Sequence, residues 1–135
     1  MIPAGAPSRW GIAPYFLVPD VVASANFYRD QLGFTYDRFW GDPPSFCMVR
    51  RAGVTVMLAQ VEAASAVRPN AKAEGGDAWD AYVWVDDADA LYAEYRARSV
   101  TIARGICDQP YGCRDFDVLD LNGYRLCFGA DLGDG

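Results

Sequence analysis

The sequence predicts an α+β fold of two tandem βαβββ modules, their strands forming a curved mixed sheet around a groove and their helices lying outside. Three observations predict it. Residues 12–60 and 79–130 each run as a strand, an amphipathic helix and three further strand-like segments. Matched positions recur at one spacing: Val18 and Val85 each end a first strand, Tyr28 and Tyr95 each lie on a helical apolar stripe, and both pairs are 67 positions apart. A chain of 135 residues with 52% apolar content suits one domain with a substantial core. One such unit cannot cover both faces of its own sheet, whereas two side by side can. Two unrelated hairpin sets that look alike by chance are the alternative.

The elements follow in order. Residues 1–11 are small, Pro-rich and polar, and read as a loosely held arm. Ile12 to Val18 is β-branched and aromatic enough for a strand, and Pro19 stops it. Asp20 is placed to cap a helix whose stripe is Val22, Ala25, Tyr28 and Leu32, with Gly33 just past its end. Phe34 to Trp40 reads as a strand and residues 41–44 as a loop. Phe46–Arg51 and Val54–Gln60 flank Ala52-Gly53, a tight hairpin. Residues 61–78 lose periodicity and read as a connector. Trp79–Val85 is then a strand, and Asp86 and Asp87 cap a helix with the stripe Ala88, Leu91, Tyr92 and Tyr95. Thr101–Ile106 is a strand and residues 108–112 form a loop. Arg114–Leu119 and Tyr124–Phe128 flank a turn at residues 120–123, where Asn122-Gly123 signals a hairpin because both residues tolerate positive φ.

Composition narrows the chemistry. The formal charge of −6 argues against nucleic acid as a partner, since phosphate binding needs clustered Lys and Arg. It is compatible with a cationic ligand and equally with mere solubility. No window approaches a membrane span, and no basic stretch leads into an apolar run as in a signal peptide. The cysteines Cys47, Cys107, Cys113 and Cys127 form no C-x-x-C pair, and a cytoplasmic protein with reduced thiols is expected. The chain has no histidine. That removes Ser-His-Asp and Cys-His machinery, the two-His-one-carboxylate iron site and any imidazole zinc ligand. Proton transfer would fall to Asp, Glu, Tyr, Lys or Cys.

Specific motifs accompany this order. Val18-Pro19-Asp20 to Ser24, followed by Phe27-Tyr28-Arg29-Asp30-Gln31-Leu32-Gly33-Phe34, resembles the opening of the glyoxalase/bleomycin-resistance/dioxygenase (vicinal oxygen chelate) superfamily. Val85-Asp86-Asp87-Ala88-Asp89-Ala90-Leu91 resembles its second-module signature. Tyr111-Gly112-Cys113-Arg114-Asp115-Phe116, Asp120-Leu121-Asn122-Gly123-Tyr124 and Phe128-Gly129 are similar to the closing segment of the bleomycin-resistance branch. The resemblance spans residues 12–130 and implies a sheet-lined groove, often built across a homodimer. It also implies metal-ligand positions on the first, fifth and last strands, which here hold Ala13, Asp80 and Cys127. Ala13 has no donor atom, so the sequence departs from the metalloenzyme pattern where catalysis would depend on it.

Strand alternation proposes what lines the groove. If Asp80 points in, so do Tyr82 and Trp84, while Ala81, Val83 and Val85 pack under the helix. Tyr15 shares a face with Ala13, and Arg125, Cys127 and Gly129 share another. The expected wall is Tyr15, Asp80, Tyr82 and Trp84: aromatic platforms beside one carboxylate, suited to a planar or cationic ligand. The same residues also suit strands for their β-propensity alone. Trp40 and Phe46 form either a lid or an edge or dimer contact. Arg114 and Asp115 are either polar groove contacts or an ion pair at a sheet edge. Cys127 is either a small buried hydrophobe or a nucleophile.

The expected function is metal-independent binding of a small organic ligand, sequestering an antibiotic or another aromatic or cationic compound, with no cofactor, no metal, no catalytic residue and a homodimeric state. The alternatives are a glyoxalase- or dioxygenase-like enzyme with an atypical or absent metal site, and a protein whose dimer surface matters more than any pocket.

Overall fold

The computed structural model describes residues 10–133. Most of the expected N-terminal arm, residues 1–9, lies outside the described residues.

The first module begins with β1, Tyr15–Val18, which runs parallel to β4, Val54–Gln60. Pairing starts where Met57 N–H donates to the Pro14 carbonyl, so the strand is shorter than Ile12–Val18; Ile12 itself is 96% exposed. Asp20 caps α1, Val21–Asp30, its carboxylate accepting from the Ala23 N–H at 3.0 Å. The buried face is Val21, Ser24, Ala25 and Tyr28, continued by Leu32. Val22, expected on that stripe, is exposed. It lies six positions before Tyr28, about 120° around a helix of 3.6 residues per turn, whereas Val21 lies seven before, within about 20° of Tyr28, and shares its face. Gly33, at φ 76°, turns the chain so that Phe34 N–H donates to the Tyr28 carbonyl at 2.9 Å. A side chain there would also meet the Arg51 guanidinium.

The strand expected over Phe34–Trp40 is reduced to β2, Phe39–Trp40, on β3, Phe46–Arg51, plus one bridge between Thr35 and Arg50. Four residue steps on the edge side (35 to 39) face three on β3 (50 to 47), so an extra residue interrupts the ladder. The β3–β4 hairpin turns at Ala52 and Gly53, φ 49° and 85°, the two positive values that a type I′ turn needs. Between the modules lie a 3₁₀ turn at Ala64–Ala66 and α2, Asn70–Glu74.

The second module repeats the plan. β5, Ala81–Trp84, runs parallel to β8, Arg125–Asp131. Asp87 caps α3, Ala88–Ala97, accepting from the Ala90 N–H at 3.0 Å. β6, Ile102–Asp108, and β7, Cys113–Leu119, complete a sheet of order β5-β8-β7-β6, the counterpart of β1-β4-β3-β2. The strands thus form two four-stranded mixed sheets, not one continuous ladder. At the β7–β8 turn only Gly123 has positive φ, not Asn122. Asp120 shapes the loop instead, its Oδ1 accepting from the N–H groups of Asn122 and Tyr124 at 2.9 and 3.0 Å.

The repeated tyrosines latch the modules to each other. Tyr28 on α1 donates to Asp120 at 2.7 Å, and Tyr95 on α3 donates to the Leu32 carbonyl at 2.8 Å. Arg51 and Glu94 pair through two bonds of 2.7 and 2.8 Å, and Phe16 stacks on Tyr124 at 4.2 Å. Val18, Tyr28, Leu58, Tyr95, Phe116 and Phe128 lie in one shared core. Among the described residues no helix is long and apolar enough to cross a membrane.

Candidate functional site

The second sheet has two unlike faces. Phe116, Val118, Leu126 and Phe128 enter the core, so alternation turns Asp115, Asp117, Arg125, Cys127 and Gly129 to the opposite face. Tyr82 and Trp84 on β5 and Arg104 on β6 join them.

Two fully buried carboxylates organise this face. Asp115 is 0% exposed and takes four donors: Arg104 Nη2 at 2.5 Å and Gln109 Nε2 at 3.2 Å on Oδ1, then the hydroxyls of Tyr82 at 3.0 Å and of Tyr111 on Oδ2. Those four fill the lone-pair capacity of a carboxylate. Asp117, 1% exposed, receives Arg104 Nη2 at 2.9 Å, Arg125 Nε at 2.7 Å and Trp79 Nε1 at 3.2 Å. Two guanidiniums thus offset two carboxylates. Burial works to raise the Asp115 pKa, but the bonds from Tyr111, Arg104, Tyr82 and Gln109 together hold it below the usual carboxylate range. The same burial and the same carboxylate push the Tyr82 and Tyr111 hydroxyls well above theirs.

Above the network lies an aromatic surface. Tyr82 sits 4.8 Å from Trp84 and 5.1 Å from Trp79, ring centre to ring centre, and Tyr111 meets Trp79 at 6.3 Å. Trp84 is 63% exposed and Tyr111 51%. Tyr82 fits against β8 because residue 129 is glycine; a methyl group there would overlap its hydroxyl. A cleft of about 510 Å³ opens beside Tyr82 and Trp84, between the modules, with Ala13, Pro14, Asp80 and Leu126 also in its wall. That volume lies within the ~300–1,000 Å³ of small-molecule sites.

The structure brings Asp80, Tyr82 and Trp84 to one cleft, with Asp115 behind Tyr82. Asp80, however, anchors backbone: its oxygens accept from the N–H groups of Asn70 and Arg125, both at 2.8 Å. Tyr15, Trp40 and Phe46 form a separate aromatic group on the first sheet, with Phe46 6.1 Å from Tyr15 and 5.6 Å from Trp40, and do not line this cleft. Arg114 cannot share a face with Asp115, its neighbour on a strand. It points to the helix side and binds Asp89 and Asp108. Arg104, Trp79, Gln109, Tyr111 and Asp117 were not singled out from the sequence. Asp117 is two residues from Asp115, and Tyr111 lies in the quoted motif, so both had a signal. Arg104 had none, because β6 carries two register shifts around it that scramble alternation.

The residues at the three implied metal positions do not fit a metal. Ala13 has no donor, both Asp80 oxygens are engaged, and burial followed by the Asp117 and Asp115 charges drives the Cys127 thiol far above its usual pKa, against the thiolate that a metal takes. Among the described residues no three His, Cys, Asp or Glu side chains converge in a metal-binding group. All four cysteines are free.

The family model described as Glyoxalase/Bleomycin resistance protein/Dioxygenase superfamily matches residues 12–128. No curated protein matches the sequence. Among solved structures the chain is similar to the bleomycin-binding protein of bleomycin-producing Streptomyces verticillus complexed with copper(II)-bleomycin, at 27% identity and TM-score 0.65, covering 96% of this chain and 100% of that one. It is similar in fold to TioX from Micromonospora sp. ML1, at 20% identity, TM-score 0.71 and coverage of 92% and 100%. It is also similar in fold to a lactoylglutathione lyase from Agrobacterium tumefaciens, at 17% identity, TM-score 0.67 and coverage of 96% and 99%.

Proposed function

Because this chain belongs to the Glyoxalase/Bleomycin resistance protein/Dioxygenase superfamily, we propose that it is one of the superfamily's metal-independent binders, holding a planar organic ligand on the aromatic face of its second module without transforming it. One observation carries the reading: exposed rings, Trp84 foremost, stand beside a cleft of ligand size, while the two buried carboxylates beneath them are engaged by internal donors, Asp115 by four and Asp117 by three. Buried carboxylates held by guanidinium and hydroxyl donors in this way are poorly placed to act as general bases. Stacking on these rings contributes roughly 0.5–2 kcal/mol per contact. The similarity to a bleomycin-binding protein makes an antibiotic-like compound a natural ligand class. In this proposal the protein works in the cytoplasm, in keeping with its four free thiols, and acts as a homodimer.

Calorimetric titration with copper(II)-bleomycin and with N-methylquinolinium, a minimal planar cation, tests the proposal. Saturable binding of at least one is expected, with the ligand recovered at unchanged mass and the affinity reduced roughly tenfold by Trp84→Ala. Turnover of a bound ligand, or no binding of either, would overturn it.

A further inference from the structure

We infer that the direction of proton donation beneath the aromatic face fixes its ligand class: the face accepts hydrogen bonds and repels acceptors, so it selects planar cations or N–H donors over planar anions, with Asp115 as the positioning residue. This rests on the binding reading above.

Asp115 is buried and cannot touch a ligand. It acts through the groups that bind it. A carboxylate has no proton to give, so the Tyr82 and Tyr111 hydroxyls must donate inward to its Oδ2. Each is then committed, and what it presents outward is an oxygen lone pair and the negative face of its ring. Arg104 and Gln109, the cationic and amide donors nearby, aim at the same carboxylate from its other oxygen, and Trp79 spends its indole N–H on Asp117. On this side of the sheet most of the described donors are turned toward the floor; the Trp84 indole N–H and the Arg104 Nε–H take no partner among the described residues. A carboxylate, sulfonate or phosphate laid on the rings meets lone pairs and π-faces. An ammonium, a ring cation or an N–H edge meets acceptors. The Asp115 carboxylate stays ionised across the neutral range because its four donors hold its pKa down, so the orientation does not relax there.

A matched pair of bicyclic probes tests this, N-methylquinolinium against 2-naphthoate, titrated in 1 M NaCl so that the overall charge of −6 is screened. The cation is expected to bind at least tenfold more tightly. Tyr111→Phe, which keeps the ring and the net charge, is expected to cut that preference severalfold while leaving the fold intact, because Tyr111 is half exposed. Asp115→Asn is expected to reduce it further by freeing hydroxyls to donate outward. Its folding is checked by circular dichroism, and Tyr111→Phe carries the test by itself if Asp115→Asn does not fold. Equal binding of the two probes, or a preference untouched by Tyr111→Phe, overturns the inference and leaves the binding reading standing. Failure of both probes and of copper(II)-bleomycin removes the reading beneath it.

Discussion

At the scale of single residues, the face depends on an absence. Gly129 has ordinary backbone angles, so no turn demands a glycine there; the close approach of the Tyr82 ring does. Gly129→Ala would push the Tyr82 hydroxyl off Asp115 and leave a buried carboxylate one donor short. Stability should fall by about 1–3 kcal/mol, and affinity for the planar probes should fall with it, since the Tyr82 ring packs 4.8 Å from Trp84. Chemical denaturation and the same titrations measure both. A variant as stable as the parent with unchanged affinity would show that Tyr82 is not held by this contact. The sequence marks Gly129 only as part of a motif. Its reason lies across the sheet on β5, at a register that no local window reveals.

At the scale of elements, the β7–β8 turn shows what was legible and what was not. The hairpin was plain from Asp120-Leu121-Asn122-Gly123. The tie of that turn to the first module was not, because Tyr28, which donates to the other Asp120 oxygen, is 92 positions away. Likewise the helix caps Asp20 and Asp87 and the Ala52-Gly53 turn could be read locally, since local chemistry sets them. The β2 interruption and the β6 register shifts could not, because edge strands answer to partners, not to their own periodicity. The same division runs through the site. Tyr82 and Trp84 followed from alternation on β5, but Arg104 and the saturation of Asp115 needed the tertiary fold. The turn also yields a pH test. Burial raises the Asp120 pKa to about 6, despite the donors Tyr28, Asn122 and Tyr124 and with a further push from Asp80. A carboxyl that binds its proton more tightly when folded stabilises the fold below its unfolded pKa, near 4, and that contribution is lost as pH rises toward 6. Asp120→Asn removes the titration. Between pH 4 and 6 the parent should therefore lose stability relative to Asp120→Asn, as read from urea midpoints. A constant difference across that range would contradict the assignment.

At the scale of the whole molecule, the two modules are repeats in sequence and halves of one core in space. Each module's helix sends its tyrosine hydroxyl into the other module, and Arg51–Glu94 spans the same boundary. Neither half can open without stranding a buried hydroxyl, a buried carboxylate and the apolar residues that both share, so local repeat-by-repeat unfolding is disfavoured. The outer surface tells a different story: Trp10, Ile12, Tyr15 and Trp84 are large, apolar and exposed. The proposed homodimer would cover part of them. Unfolding followed by far-ultraviolet circular dichroism and by tryptophan fluorescence should then give one coincident transition, with a midpoint that rises with protein concentration, because association stabilises only the folded chain. Two separated transitions would mean that the tyrosine latches do not couple the modules. A single transition at a concentration-independent midpoint would keep the latches and remove the dimer, leaving the exposed rings to the ligand alone.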